Sequence, residues 1–141
     1  MERTNARTLA AGFLPEPVDL AVIDVAFISL GLILGPVTAC FGPGGGRIVP
    51  LVKPQFEAGR EAVPGGVVRD PAVHLAVLER VVAQARALGL GVAGAIASPL
   101  LGPQGNREFL LDLRVGPTTP APAHETTPAD LAERLRAITL E

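Results

Sequence analysis

Lys53 is the only lysine of the chain, set against eleven arginines, and it closes an apolar run, Ile48-Val49-Pro50-Leu51-Val52. Arginine keeps its charge in proteins, whereas a desolvated lysine can lose its proton and act as a base. The plainer reading is a lysine that caps a strand and snorkels to water. Two acids stand in similar places: Asp24 near the end of the apolar run Val18–Val25, and Glu108 at the start of the run to Val115. An acid, an amine and a second acid brought to one rim would suit general acid–base chemistry. Each could instead cap its own strand or join a rim salt bridge. Their convergence beside a Gly-rich loop and the Gly105-Asn106 pair favours a site.

The elements needed to bring these residues together can be read from the pattern. Val18–Val25 follows a Pro-Glu-Pro punctuation and is rich in apolar and β-branched residues, as a strand buried on both faces is. Ile28–Phe41 has the length and apolarity of a buried helix. Gly42-Pro43-Gly44-Gly45-Gly46 turns the chain into a second strand, Arg47–Val52, and Pro54–Val68 reads as a loop. Asp70-Pro71 opens a helix, with aspartate as N-cap and proline at the first helical position. Val73, Val77, Val81 and Leu88 keep near the helical period, and Gly89 ends it. Gly91–Ser98 and Glu108–Val115 are the third and fourth strands. The first three would be joined by right-handed crossovers, with the fourth returning antiparallel. In such an open sheet the ligand crevice lies beyond the carboxyl ends of the parallel strands, where Asp24 and Lys53 would sit. Gly116–Pro128 turns to Pro, Thr and Ala, a linker, before a short polar helix over Ala129–Ile138.

Length and composition agree with one α/β domain. The chain has 141 residues and only 18% charged residues, below the usual share of about a quarter. A net charge of -2 provides no broad basic field for nucleic acid, so RNA affinity would need a local arginine patch or another module. Cys40 has no partner for an intramolecular disulfide, which suits a reducing cytoplasm. The uncharged stretch from Val25 to Gly46 is broken by Pro36 and the glycines, so a membrane span is not expected; nor is a signal peptide. Gly44-Gly45-Gly46 lacks the strand–loop–helix setting of a phosphate cradle. His74 and His124 have no ligand partners in sequence, so no metal is expected.

Five strings carry a family resemblance: Glu2–Arg7, Val22–Leu30 (Val-Ile-Asp-Val-Ala-Phe-Ile-Ser-Leu), Leu51–Arg60 (Leu-Val-Lys-Pro-Gln-Phe-Glu-Ala-Gly-Arg), Gly66–Asp70 and Gly102–Phe109 (Gly-Pro-Gln-Gly-Asn-Arg-Glu-Phe). In this order they resemble successive motifs of the TlyA family. These are FtsJ-like, S-adenosylmethionine-dependent ribosomal RNA methyltransferases, also called haemolysin A. The resemblance implies methyl transfer from S-adenosylmethionine to a ribose 2′-hydroxyl, on cytidine of ribosomal RNA. It also implies a catalytic Lys-Asp-Lys-Glu tetrad, of which Asp24 matches the aspartate, Lys53 the second lysine and Glu108 the glutamate. Lys53 would accept the hydroxyl proton once burial has favoured its neutral amine, while Asp24 and Glu108 would orient amine and hydroxyl. Asn5 and Asp24 would contact the cofactor, Asn5 at its adenine. Ala26 stands where the family often has serine.

The same resemblance defines what to expect around the match. Family members place a small RNA-binding domain, a Gly-rich cofactor loop, an acidic second strand and the tetrad's first lysine ahead of these motifs. The chain is therefore expected to be the C-terminal half of a Rossmann-like, FtsJ-type α/β methyltransferase domain over 1–115, its sheet mostly parallel with an antiparallel last strand. Residues 116–141 would be linker and helix. An exposed sheet edge should lead to self-association or to a complementing N-terminal half, with the ribosomal RNA or ribosomal subunit as substrate partner and a cytoplasmic location. Alternatives are a non-enzymatic remnant or RNA- or partner-binding module, and a membrane-active haemolysin-like protein.

Overall fold

The computed structural model describes residues 2–116 and 126–140. Four strands, β1 (Leu20–Ile23), β2 (Gly46–Val52), β3 (Gly91–Ala97) and β4 (Phe109–Val115), form one sheet in the order β1-β2-β4-β3. β1 and β2 are parallel, and β4 is antiparallel to both β2 and β3, so the first three strands share one direction. This is the mostly parallel sheet with an antiparallel last strand, and β4 enters between β2 and β3 rather than at an edge.

The longest helix, α3 (Pro71–Ala87), forms as its sequence dictates. The Asp70 carboxylate accepts from the Ala72 amide at 2.8 Å, and Pro71 occupies the first turn, where a missing N–H costs nothing. Gly89, at φ 78°, reverses the chain, and the Leu90 amide closes on the Ala85 carbonyl at 3.0 Å. Val77, Leu78, Val81, Val82 and Ala85 of this helix join Ile48, Val52, Phe109, Leu111 and Leu113 of the sheet in one buried core.

Four expectations need correction. The first strand is shorter than Val18–Val25 and, lying at the sheet edge, is not buried on both faces: Leu20 and Val22 face outward and are exposed. Ile28–Phe41 is not one helix: it holds a 3-10 turn over Leu30–Leu32 and a short α1 (Leu34–Thr38). Ser29 caps the 3-10 turn by accepting from the Gly31 amide, and Gly31, Gly35 and Pro36 deny the segment the propensity for a longer run. Pro54–Val68 is not wholly loop. It opens with a single turn, α2 (Pro54–Glu57), started by Pro54, and has 3-10 turns over Arg60–Ala62 and Pro64–Gly66. The C-terminal helix, α4 (Pro128–Leu140), is longer than Ala129–Ile138 and amphipathic rather than polar. Leu131, Leu135 and Ile138, spaced four and three apart, are buried in the same core. Thr127 caps it, accepting from the Asp130 amide at 3.1 Å and donating to the Asp130 carboxylate at 2.6 Å. Of the expected linker Gly116–Pro128, residues 117–125 lie outside the described residues.

One face of the sheet faces the core. The other carries Leu20, Val22, Arg47, Val49, Leu110 and Asp112, and there the edge strand β1 leaves Val22 72% exposed. Among the described residues no helix is long and apolar enough to cross a membrane.

Candidate active site

β1 ends at Ile23 and β2 at Val52, so Asp24 and Lys53 are each the first residue past the carboxyl end of a strand. Because the strands are parallel neighbours, both side chains arrive at one rim, and Lys53 Nζ lies 2.6 Å from Asp24 Oδ1. The environments differ: the Lys53 side chain is 14% exposed and that of Asp24 65%. The amine is thus delivered along a mostly buried stem to a carboxylate that faces water.

Glu108 precedes β4 by one residue and is buried. It makes no ion pair with Lys53; its carboxylate accepts from Gln55 Nε2 at 3.2 Å. Its carboxylate lies so close over Gly102 that a side chain there would collide with it. The first turn after β2 therefore addresses both acids, Lys53 reaching Asp24 and Gln55 reaching Glu108. Asn5 is elsewhere. It caps the 3-10 turn Ala6–Thr8, its side-chain oxygen accepting from the Arg7 amide at 3.1 Å, and no hydrogen bond among the described residues joins it to the other three.

Four further residues shape this rim, and of these only Asn106, in the Gly105-Asn106 pair, stood out in the sequence. Phe27 is 89% exposed, held at φ 62°, with its ring 4.8 Å from that of Phe56. Gln55 is visible only through its contact with Glu108. Glu57, an acid inside the Lys-Pro-Gln-Phe-Glu string, is buried and accepts from the Leu30 amide at 2.7 Å and from Ser29 Oγ at 2.8 Å. Asn106 is buried too: it accepts from the Val68 amide at 3.1 Å and donates to the Gly66 and Pro103 carbonyls, each at 3.0 Å. It thereby fixes the loop that leads into Glu108.

Behind that loop His74 is buried, with Nε2 3.1 Å from the Val68 carbonyl and its ring edge-on to Phe109. A carbonyl can only accept, so Nε2 carries the proton, and among the described residues the buried Nδ1 has no partner. Burial pushes the His74 pKa below its ordinary 6.5; the Val68 bond and Asp70 oppose this, and Arg107 adds to it.

A cavity of about 580 Å³ lies on the outward sheet face between Arg47, Val49, Ile96, Leu110, Asp112 and Arg134. None of Asp24, Lys53 or Glu108 lines it. Among the described residues no three His, Cys, Asp or Glu side chains are grouped to hold a metal ion.

Comparison with known proteins adds the family. The sequence pattern of the FtsJ-like methyltransferases matches residues 1–115. The chain is 47% identical over 115 residues to the 16S/23S rRNA (cytidine-2′-O)-methyltransferase TlyA of Mycobacterium tuberculosis, covering 81% of this chain and 42% of that protein. It is 49% identical, again over 115 residues, to YqxC of Bacillus subtilis, a candidate rRNA methyltransferase, covering 80% and 41%. A solved structure of a candidate hemolysin from Streptococcus thermophilus superposes with a TM-score of 0.84 at 39% identity, covering all of this chain and 50% of that one. The chain thus spans about two fifths of the length of the curated relatives it matches. A pattern that covers most of the chain, and relatives this similar over the same stretch, place it in the FtsJ-like methyltransferase family.

Proposed function

We propose that this chain supplies the acid–amine part of a ribosomal RNA 2′-O-methyltransferase, one that moves a methyl group from S-adenosylmethionine to a ribose 2′-hydroxyl of cytidine. The observation that carries the reading is the Asp24–Lys53 pair, 2.6 Å apart at the common end of two parallel strands. When bound, S-adenosylmethionine supplies a methyl group on a cationic sulfur. The protein's remaining tasks are to align the hydroxyl and to take up its proton.

In this reading Lys53 is the proton acceptor. Its neutral amine takes up the hydroxyl proton as the methyl group is transferred, and the ammonium so formed donates to Asp24. Asp24 fixes the direction of the amine, and its exposed carboxylate is also the group best suited to face a cationic cofactor. Glu108, steadied by Gln55, orients the hydroxyl. Asn5 would meet the adenine through its amide nitrogen, since its oxygen already caps a turn. The residues described here fit the reacting end of the cofactor better than the rest of it. The glycine cluster Gly44–Gly46 enters β2 at the rim opposite Lys53, away from the reacting end of the cofactor.

The substrate partner is ribosomal RNA within a ribosomal subunit, which implies a cytoplasmic site of action. With a net charge of -2, the affinity for RNA must come from local arginines or from another chain. The exposed β1 edge and its apolar outer face would take a complementing N-terminal half, or otherwise a second copy. Sedimentation velocity should show the chain alone associating, and Val22→Lys should shift it towards monomer; a monomeric parent protein would remove this part of the reading.

The methyl-transfer reading is tested by a chimera in which residues 1–115 replace the matching stretch of the Mycobacterium tuberculosis relative. Incubated with ribosomal subunits and S-adenosylmethionine, it should produce 2′-O-methylcytidine, detected by mass spectrometry of digested RNA. A folded chimera that methylates no RNA, beside an active parent, would sink the proposal.

A further inference from the structure

Past the ends of β1 and β2 the two segments continue side by side, held by side chains instead of backbone. Asp24 meets Lys53, Phe27 meets Phe56, and Ser29 and Leu30 meet Glu57. The last contact is the most enclosed. The Glu57 side chain is 2% exposed; Oε1 accepts from the Leu30 amide at 2.7 Å, and Oε2 from Ser29 Oγ at 2.8 Å. Arg80 of α3 places its guanidinium 3.7 Å from Oε2 and also donates to the Glu57 backbone carbonyl.

A carboxylate withdrawn from water is costly unless its oxygens and charge are matched. Here both oxygens are engaged and a guanidinium stands nearby. Capping the Leu30 amide alone would not need such an arrangement, because a neutral serine or glutamine satisfies one N–H without burying charge. What the acid adds is a three-way junction. It joins the segment after Asp24, the turn after Lys53, and α3 at the back.

We propose that Glu57 is a positioning residue. Its carboxylate clasps the post-β1 segment to the post-β2 turn, and so holds Asp24 and Lys53 at ion-pair distance. The purpose of this clasp rests on the methyl-transfer reading, but the geometry can be tested without it. A merely structural Glu57 would weaken the fold when removed and leave the Asp24–Lys53 pair of the folded protein unchanged.

The single lysine makes the test clean. In the full chain labelled with lysine-15N, the side-chain ammonium gives one signal, and peptide mass spectrometry separates reductive methylation of Lys53 from that of the N-terminal amine. Asp24→Ala provides the signature of an unpaired Lys53. In folded Glu57→Ala the signal should move to that position and methylation should speed up about tenfold, the scale expected when hydrogen bonds to a charged group are lost. Glu57→Gln, which keeps the shape and an acceptor for Leu30 but loses the second acceptor and the charge facing Arg80, should return only part of both. Ser29→Ala removes one of the two bonds and should give a change of about threefold on the same scale. The proposal is overturned if Glu57→Ala leaves the signal and rate as in the parent protein, or, where that variant does not fold, if Ser29→Ala does. Should the chimera transfer no methyl group while Glu57→Ala still frees Lys53, the clasp stands and the methyl-transfer reading falls.

Discussion

The rim beyond β1 and β2 and the outward face of the sheet both gather cations with carboxylates, yet water treats them differently. On the sheet face Arg47 forks onto Asp112 at 2.8 and 3.0 Å, and Arg114 adds a third bond at 3.1 Å. Both arginine side chains remain about half exposed. At the rim, Lys53 and Glu57 are largely withdrawn from solvent, while their partners Asp24 and Arg80 stay in contact with it. Guanidinium groups are permanent charges, so the face can fix the alignment of β2 and β4 but cannot move a proton. The rim contains the one side-chain amine of the protein, and it can. A cavity of about 580 Å³ belongs to the face, and none of Asp24, Lys53 or Glu108 lines it; chemistry has to be read from the groups themselves.

The sharpest way to break this contrast is Lys53→Arg. It keeps the positive charge and its attraction to Asp24 but removes the transferable proton. In the chimera, 2′-O-methylation should fall at least about a hundredfold, the usual scale of a lost general base. An arginine variant within a few fold of the parent would show that Lys53 serves only as a charge, as Arg47 does on the face.

Next in size is Asn106→Ala, which strands the Val68 amide and the Gly66 and Pro103 carbonyls behind Glu108. Loss of partners for buried backbone groups should lower stability by about 3 kcal/mol in urea denaturation. A cost below about 1 kcal/mol, no more than a surface pair is worth, would mean that the loop finds other partners.

His74 adds a pH dependence to the same loop. Burial lowers its folded pKa from 6.5, so the unfolded chain binds its proton first as pH falls. Stability is therefore whole above about pH 6.5 and declines below it, until the folded-state value is reached. Urea midpoints measured from about pH 7.5 down to about 5.5 should fall in the parent protein and stay flatter in His74→Gln. Equal slopes would show that the ring is solvated or that another group carries the effect.

The contrast between legible and hidden features follows the range of the interactions. α3 could be read from its own residues, because Asp70, Pro71 and Gly89 act within a turn of where they stand. The strand ends at Asp24 and Lys53 were legible for the same reason: a charge terminating an apolar run is local. Glu57 was not, since its partners lie 27 and 28 residues earlier and only the parallel pairing of β1 and β2 brings them near. Gln55 depends likewise on Glu108, 53 residues away. The buried side of α4 was overlooked because Leu131, Leu135 and Ile138 are diluted by charged neighbours, although their spacing was present in the sequence. The approach of Asp24 to Lys53 was expected from the two strand ends, whereas the partner of Glu108, Gln55, was not.

The smallest expected effect closes the comparison from the side of the face. Arg47→Ala removes a forked ion pair, but one that water screens and that leaves Asp112 with Arg114 as a second partner. Its cost should be about 1 kcal/mol or less, and it should shrink further in high salt. The Lys53 ammonium signal should stay where it is in the parent protein, because the two clusters share no side chain. A cost of several kcal/mol that resists salt would show that the Arg47–Asp112 pair is shielded from water. A shifted Lys53 signal would show that the alignment of β2 and β4 reaches the Asp24–Lys53 pair, and the two regions would then have to be treated as one coupled network.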